Sequence, residues 1–234
     1  MASVVARLKS LIRRILPQRP NYDHIPKSLI IKHIPADSYI IDAGAHFGND
    51  SLEFARLLPK ATIYAFEPMP DIFNGLTTGT KKFPNIICEE LALNDHTGHV
   101  DFYVSGGTSD ASSSVLKPDL VNKYHPTVEF KKVIKVPSIT LDDWLSQKKI
   151  PRIDFMWLDL QGNEINVLKQ SQMVWKHLKG VHIEVNEERL YENAPVYQEV
   201  VEFLSSKGFR ILKEALYPGS KIGNLLFMKN GTNG

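Results

Sequence analysis

The stretch YIIDAGAHFGNDSLEFARLLP, Tyr39 to Pro59, runs from an apolar segment through a glycine-containing turn into a helix-forming segment. Glycine lets a backbone approach a ligand closely, and the free N–H groups in the first turn of a helix need acceptors. A strand, a glycine turn and a helix in this order therefore predict a small-molecule site at the turn.

Apolar and amphipathic segments alternate beyond this turn, which is typical of α/β proteins with a doubly wound, mostly parallel sheet. Seven strands are expected, near 39–45, 62–66, 86–91, 155–160, 181–186, 209–213 and 225–228. Helices are expected at 51–58, 71–79, 164–178 and 196–207, and Asn163 is predicted to be the N-cap of the third. The predicted fold class is a Rossmann-like α/β domain at 21–234.

The composition restricts the partners of the chain. Its 234 residues include 28 Lys plus Arg and 26 Asp plus Glu, so no nucleic acid partner is expected. A single cysteine excludes an intramolecular disulfide, and no His, Cys or carboxylate spacing predicts a metal site. The oligomeric state stays open.

The first twenty residues are predicted to form a basic amphipathic helix, because their apolar residues share one helical face and their arginines lie elsewhere. Charges interrupt the segment too often for a membrane span. We expect a cytoplasmic protein whose helix either packs on the domain or a partner protein, or lies peripherally on an anionic membrane surface.

The strand–helix rhythm breaks at about 94–152. An extra strand is expected at 98–104, followed by a polar loop at 105–114, a short strand at 133–136 and a helix at 141–147. Long insertions near the carboxyl ends of strands often cover ligands. This insertion is predicted to be a lid or wall of the substrate site.

The glycine turn does not fit the dinucleotide fingerprint G-x-G-x-x-G. His46 stands at the second glycine position and Asn49 at the third, where a pyrophosphate needs a bare backbone. At the end of the second predicted strand, Glu67 is placed to accept both hydroxyls of a ribose, as carboxylates do at this point of nucleotide-binding sheets.

The motif Asp42-Ala43-Gly44-Ala45-x-x-Gly48 resembles the first motif of the class I S-adenosylmethionine-dependent methyltransferases. Further motifs narrow the resemblance to the FkbM-type methyltransferases over about residues 39–187. They are Phe66-Glu67-Pro68, Ala92-Leu93-Asn94-Asp95, Ser112-Ser113-Ser114, Thr140-Leu141-Asp142-Asp143-Trp144-Leu145 and Asp159-Leu160-Gln161-Gly162-Asn163-Glu164. Two positions depart from the family pattern, which usually has Lys where Trp157 stands and Glu where Gln161 stands.

The resemblance implies S-adenosylmethionine as cofactor and methyl transfer to a hydroxyl of a sugar, a glycan or another small natural product. It places Asp42 beside the amino-acid part of the cofactor. His46 contributes either its side chain or only its backbone. The other residues expected at the cofactor are Gly44, Ala45, Phe47, Gly48, Asn49, Ser51, Glu67, Pro68, Met69, Glu90, Leu91, Ala92 and Asp159.

Polar residues on an otherwise apolar strand suggest the catalytic groups. His182, Glu184 and Asn186 share one face of the strand expected at 181–186, and a buried polar face needs partners or a site. Asp159 and Glu184 are predicted to orient the acceptor or act as its base. His182 is either an alternate base or a core histidine. Trp157 either contacts the sulfonium of the cofactor by cation–π attraction or packs in the hydrophobic core.

Other functions remain open at this point. The departures at Trp157 and Gln161 leave open a noncatalytic cofactor-binding partner module whose N-terminal helix docks on a complex or a membrane. An amine or a macromolecule is an alternative acceptor. Methylation of a nucleic-acid base is not indicated, because Asp159-Leu160-Gln161-Gly162 stands where such enzymes typically have a Pro-Pro-aromatic turn.

Overall fold

The computed structural model describes residues 24–231. In chain order its elements are α1 (Lys27–Ile30), β1 (Tyr39–Ala43), α2 (Asn49–Leu57), β2 (Thr62–Phe66), α3 (Pro70–Thr80), β3 (Ile86–Glu89), β4 (Ala92–Leu93), β5 (Gly98–Gly107), α4 (Val121–Tyr124), β6 (Val128–Ile139), α5 (Leu141–Lys148), β7 (Phe155–Leu158), α6 (Glu164–Gln170), a 3-10 turn (Val174–Lys176), β8 (Gly180–Val185), α7 (Tyr197–Ser206), β9 (Phe209–Leu216) and β10 (Gly223–Lys229). The expected N-terminal helix lies outside the described residues.

In the described part of the chain, seven strands form one sheet in the order β3-β2-β1-β7-β8-β10-β9. The first five run parallel, and β10 is antiparallel to both of its neighbours. This architecture confirms the predicted doubly wound α/β fold. The strand order changes direction between β1 and β7, and such a switch point opens a crevice at the carboxyl ends of the strands.

Both faces of the sheet are covered by apolar layers, because successive strand residues point to opposite sides. Ile41 of β1 and Met156 of β7 belong to one cluster, and Ile40 and Phe155 belong to the other. The carboxyl ends of the central strands are thereby fixed relative to one another.

The insertion forms a second, three-stranded sheet in the order β4-β6-β5. Strands β5 and β6 pair antiparallel over almost their whole length and are longer than the sequence pattern indicated. The boundaries assigned to the insertion and the domain stay predictions. Within residues 24–231, every helix is too short or too polar to cross a bilayer.

The helix expected at 164–178 ends at Gln170, which corrects the sequence interpretation. Asp142 at the start of α5 causes the break: its carboxylate accepts the Ser171 hydroxyl at 2.5 Å and the Gln172 N–H at 2.8 Å. These bonds turn the chain away from the helix axis. Asn163 directly precedes α6, as predicted, but its side chain makes no capping bond.

Candidate active site

A cavity of about 230 Å³ opens at the carboxyl ends of β1, β2 and β7, where the strand order changes direction. Gly44, Glu67 and Asp159 follow these three strands and line it. The opposite wall comes from the insertion and contains Phe102, Asp110, Ala111, Ser113 and Val115. The inserted segment therefore contributes directly to the cavity.

The glycine turn is fixed by its neighbours. The N–H groups of Gly44 and Ala45 both donate to the Phe66 carbonyl, at 3.1 and 2.9 Å. Gly44 has a φ of 82°, and a Cβ at this residue would lie 2.0 Å from the carbonyl oxygen of Asp159. The turn and the end of β7 can approach this closely only because residue 44 is glycine.

Glu67 presents a buried carboxylate to the cavity. Its Oε2 accepts the His46 N–H at 3.1 Å and its Oε1 accepts the Met69 N–H at 2.9 Å. Burial raises the pKa of Glu67 to about 7, although both backbone bonds act to lower it. Each oxygen has used one of its two acceptor positions, so the carboxylate has capacity left for a pair of hydroxyl groups.

Asp42 lies beneath the turn and does not line the cavity. It is fully buried, and its Oδ2 accepts the Ser51 hydroxyl at 2.5 Å. Burial, followed by repulsion from Asp50, raises the pKa of Asp42 to about 7. Its bond with Ser51 joins the end of β1 to the first turn of α2 and so spans the glycine turn.

Asp159 extends an accessible carboxylate into the cavity and bonds to its neighbour in the loop. Its Oδ1 accepts the Gln161 Nε2–H group at 2.7 Å, and the same nitrogen donates to Glu184 Oε2 at 3.0 Å. Desolvation within this recess raises the pKa of Asp159, and Asp50 adds to the rise, whereas Gln161 and His46 oppose it. One amide thus joins Asp159 and Glu184, the two carboxylates predicted to orient the acceptor or act as its base.

Glu164 organises the loop between β7 and α6. Its Oε1 accepts the N–H groups of Leu160 and Gly162 at 2.8 and 3.2 Å. Asn163 donates to Asn94 Oδ1 at 3.1 Å and ties this loop to the end of β4. The loop that carries Gln161 is therefore anchored on both sides.

Ten of the predicted site residues line the cavity. They are Gly44, Ala45, His46, Asn49, Glu67, Pro68, Met69, Leu91, Ala92 and Asp159. The other predicted residues do not line it. Ser51 bonds Asp42, Gly48 precedes α2 with a φ of 82°, and Glu90 is exposed. The exposed ring of Phe47 lies over Gly75 of α3, and Glu184 lines a smaller adjacent cavity with Tyr191.

His182 lies off the cavity. Its ring stacks on Trp157 with centroids 3.4 Å apart, and both residues are buried. Burial, with the nearby Lys27 charge, holds the pKa of His182 well below its usual value, so the ring is neutral. Trp157 belongs to the core layer. This placement separates His182 from the carboxylates that line the cavity.

Lys27 of α1 is a buried cation that the sequence interpretation did not single out. Its Nζ pairs with Asp50 and lies 3.2 Å from Glu53. The same nitrogen lies 3.9 Å from the centre of the Trp157 ring. Asp50 lines the cavity, so Lys27 supports the cavity wall from behind. No local pattern in the sequence marks this contact, which spans 23 positions.

The cavity is acidic. Its described lining holds four carboxylates and one histidine but neither lysine nor arginine; the carboxylates are Asp50, Glu67, Asp110 and Asp159. The imidazole Nε2 of His46 lies 3.5 Å from Asp110 Oδ1. Such a lining favours a ligand that carries positive charge.

Within residues 24–231, the sheet order with its antiparallel β10, the glycine turn and the carboxylate after β2 match the arrangement that the resemblance to the class I methyltransferases implies. A family model described as "Methyltransferase FkbM domain" matches residues 42–211, so the chain belongs to that family. It is an S-adenosylmethionine-dependent methyltransferase, which confirms the resemblance drawn from the motifs and leaves the noncatalytic alternative unsupported.

Three curated relatives carry methyltransferase names. The 2-O-methyltransferase NoeI of Sinorhizobium fredii is 29% identical over 175 residues, which are 73% of this chain and 72% of that protein. Methyltransferase sdnD of Sordaria araneosa is 26% identical over 218 residues, covering 79% and 78% of the two chains. The hexuronic acid methyltransferase AglP of Haloferax volcanii is 23% identical over 159 residues, covering 68% and 60%.

Proposed function

We infer that this enzyme transfers a methyl group to a hydroxyl oxygen of a sugar, a glycan or another small natural product. The observation that carries this proposal is the position of Asp159, whose carboxylate lines the cavity and is tied to Glu184 through Gln161. The names of NoeI and AglP, a 2-O-methyltransferase and a hexuronic acid methyltransferase, point to the same acceptor class.

The residues at the cavity fit the donor. Glu67 would hold the ribose hydroxyls, because its buried carboxylate keeps acceptor capacity on both oxygens. The turn at Gly44 and Ala45 would lie under the amino-acid part of the donor, and the Asp42–Ser51 bond would hold the two ends of that turn together. The acidic lining suits a ligand that carries a sulfonium and an ammonium group.

Bound S-adenosylmethionine supplies an electrophilic methyl group on a positively charged sulfur. The chain must then align the acceptor oxygen with that methyl group and take up the hydroxyl proton as the C–O bond forms and the C–S bond breaks, with neutral S-adenosylhomocysteine as the leaving group. Asp159 would accept this proton on its carboxylate. Its raised pKa makes it a stronger base than an ordinary aspartate, provided that it is ionised.

The acceptor would enter between the insertion and the loop after β7. Glu184 and Tyr191 line a small cavity next to the larger one, and Gln161 lines both. Glu184 would orient the acceptor by accepting hydrogen bonds from the acceptor's hydroxyl groups. Phe102 and Val115 of the insertion form an apolar wall that would limit the access of water to the reacting groups.

A labelled-donor screen tests this proposal. The full chain is incubated with methyl-labelled S-adenosylmethionine and a panel of neutral methyl glycosides, uronic acids, phenols and amines, and products are detected by mass spectrometry. We expect label on hydroxylated acceptors, with loss of at least about 100-fold in rate for Asp159→Asn, the usual scale of a general base.

The matched control is Glu202→Gln, an exposed carboxylate on α7 that should leave the rate unchanged. Transfer only to amines would contradict the proposal. Full activity of Asp159→Asn together with Glu184→Gln would contradict the assignment of the base.

A further inference from the structure

Gln161 stands where three elements of the fold meet. Its Nε2 donates to Asp159 beyond β7 and to Glu184 of β8, at 2.7 and 3.0 Å. Its Oε1 lies 3.1 Å from the hydroxyl of Tyr191, in the loop after β8. A primary amide has two N–H groups and one carbonyl, so all three contacts use its full donor capacity and part of its acceptor capacity.

The orientation of this amide follows from its partners. With the amide reversed, its carbonyl oxygen would face both carboxylates, which is repulsive. The Tyr191 hydroxyl has a single proton to share between Gln161 Oε1 and the Ser112 carbonyl, which lies at 2.7 Å. Burial raises the pKa of Tyr191, so its phenol stays protonated and can act as a donor.

The backbone of Gln161 is also held in a costly conformation. Its φ is 52°, in the left-handed region that side chains other than glycine seldom adopt. Its carbonyl oxygen accepts the Ser114 hydroxyl at 3.0 Å, and Glu164 fixes the flanking N–H groups of Leu160 and Gly162. Contacts from the insertion and from α6 therefore hold the side chain toward the two carboxylates.

We propose that Gln161 is the positioning residue of this site: its amide ties Asp159 and Glu184 into one orientation toward the acceptor hydroxyl, and Tyr191 holds the amide in place. The inference rests on the proposed function for the identity of the acceptor. The hydrogen-bond network itself can be tested without any acceptor.

A neutral hydrogen-bond donor at residue 161 suits the two neighbouring carboxylates better than a third carboxylate would. Glutamate at residue 161 would remove both N–H groups and place a third negative charge beside Asp159 and Glu184. Methionine would remove the N–H groups without adding charge. The two substitutions therefore separate the loss of hydrogen bonding from the effect of charge.

The direct test follows the ionisation of Asp159 by carboxyl-carbon NMR in full-length wild type, Gln161→Glu, Gln161→Met and Tyr191→Phe. We expect the midpoint of Asp159 to rise by about one pH unit in Gln161→Met and further in Gln161→Glu, because a bond to the charged form is lost in both. Tyr191→Phe should shift it in the same direction by less.

Each group that faces Asp159 must be followed as well, the carboxyl groups in the same spectra and the two rings by their aromatic carbons. Those groups are Asp42, His46, Asp50, Glu164, Glu184 and Tyr191. Gln198→Glu on the exposed face of α7 is the matched control and should leave the midpoint unchanged. An Asp159 midpoint unmoved in both Gln161 variants would overturn the proposal, as would a Gln198→Glu shift of equal size.

The second test is steady-state kinetics with an acceptor that the enzyme methylates in the labelled-donor screen. We expect kcat to fall about tenfold or more in Gln161→Met, while the Kd for S-adenosylmethionine changes less than about threefold, since misplacing a base affects the chemical step. A loss confined to donor affinity would contradict the positioning role. If the titration shifts but no hydroxyl acceptor is ever methylated, the proposed function fails while the positioning of Asp159 stands.

Discussion

The carbonyl oxygen of Asp159 lies where a side chain on Gly44 would begin: a Cβ at residue 44 would come within 2.0 Å of it. This contact joins the turn after β1 to the end of β7. The turn that would hold the donor and the residue that would receive the proton are therefore positioned by one backbone approach.

Gly44→Ala should consequently damage both stability and donor binding. The added methyl group meets a backbone atom and the φ of 82° is unfavourable for alanine, so we expect a loss of about 2 kcal/mol or more in the free energy of unfolding. Urea denaturation measures that loss, and calorimetry should show donor affinity reduced at least tenfold.

Gly208→Ala is the control for this substitution. Gly208 also has a φ of 82°, but within residues 24–231 a Cβ added there would have no heavy atom within 4 Å apart from its chain neighbours. Alanine there should cost only the conformational strain, about 1 kcal/mol. Equal losses in the two variants would show that the contact with Asp159 has no effect of its own.

Donor binding should depend on pH through Glu67. Its pKa of about 7 means that the carboxyl is largely protonated at pH 6 and largely ionised at pH 8. If the ionised form accepts the ribose hydroxyls, Kd for S-adenosylmethionine should be about tenfold weaker at pH 6 than at pH 8. Calorimetry across this range gives the profile.

The Glu67→Gln variant should bind S-adenosylmethionine more weakly than wild type at pH 8. Its Kd should also lose most of the dependence on pH. Asp42 and Glu164 have pKa values raised to about 7 as well, so a profile that persists in Glu67→Gln would assign the dependence to one of them instead.

Lys27→Met should destabilise the protein. The ammonium group is buried over Trp157 and paired with Asp50 and Glu53, so its removal leaves two carboxylates without their shared cation. Both partners are partly exposed, which limits the cost to about 1–3 kcal/mol. Lys32→Met, at an exposed position, should change the free energy of unfolding by less than about 0.5 kcal/mol.

The acidic lining should make the enzyme prefer uncharged acceptors. Asp110 and Asp159 face the cavity, and Glu184 and Glu188 line the smaller one beside it. We expect kcat/KM for a neutral glycoside to exceed that for the matching uronic acid by at least about tenfold at low salt. Asp110→Asn should reduce this ratio of kcat/KM values, whereas Asp119→Asn, at an exposed position, should leave it unchanged. A higher kcat/KM for the uronic acid would contradict this expectation.

Much of the fold could be predicted because its signals are local. The strand at 62–66 was predicted with its observed limits, and Glu67 follows it at the cavity as expected. By contrast, the end of α6 depends on Asp142, which lies 29 positions before Ser171. A contact of that kind leaves no periodic trace in the sequence.

The candidate active site likewise combines features with a local sequence signal and features that depend on contacts distant in sequence. The alternation in β8 correctly put His182 and Glu184 on one face, but it does not reveal depth along the strand. His182 pairs with Trp157 inside the sheet, whereas Glu184 lies at the end where the loops meet. The bridging contacts of Gln161 depend on β8, the insertion and the loop after β8 at once, so the sequence presented Gln161 only as a departure from a motif.

The most direct measurement is a single-turnover methyl transfer with carbon-13-labelled donor, in which NMR identifies the atom that receives the methyl group. We expect a methyl ether on a hydroxyl oxygen of the acceptor, formed at least about 100-fold more slowly by Asp159→Asn. A methyl group on nitrogen or carbon, or an undiminished rate in Asp159→Asn, would contradict it.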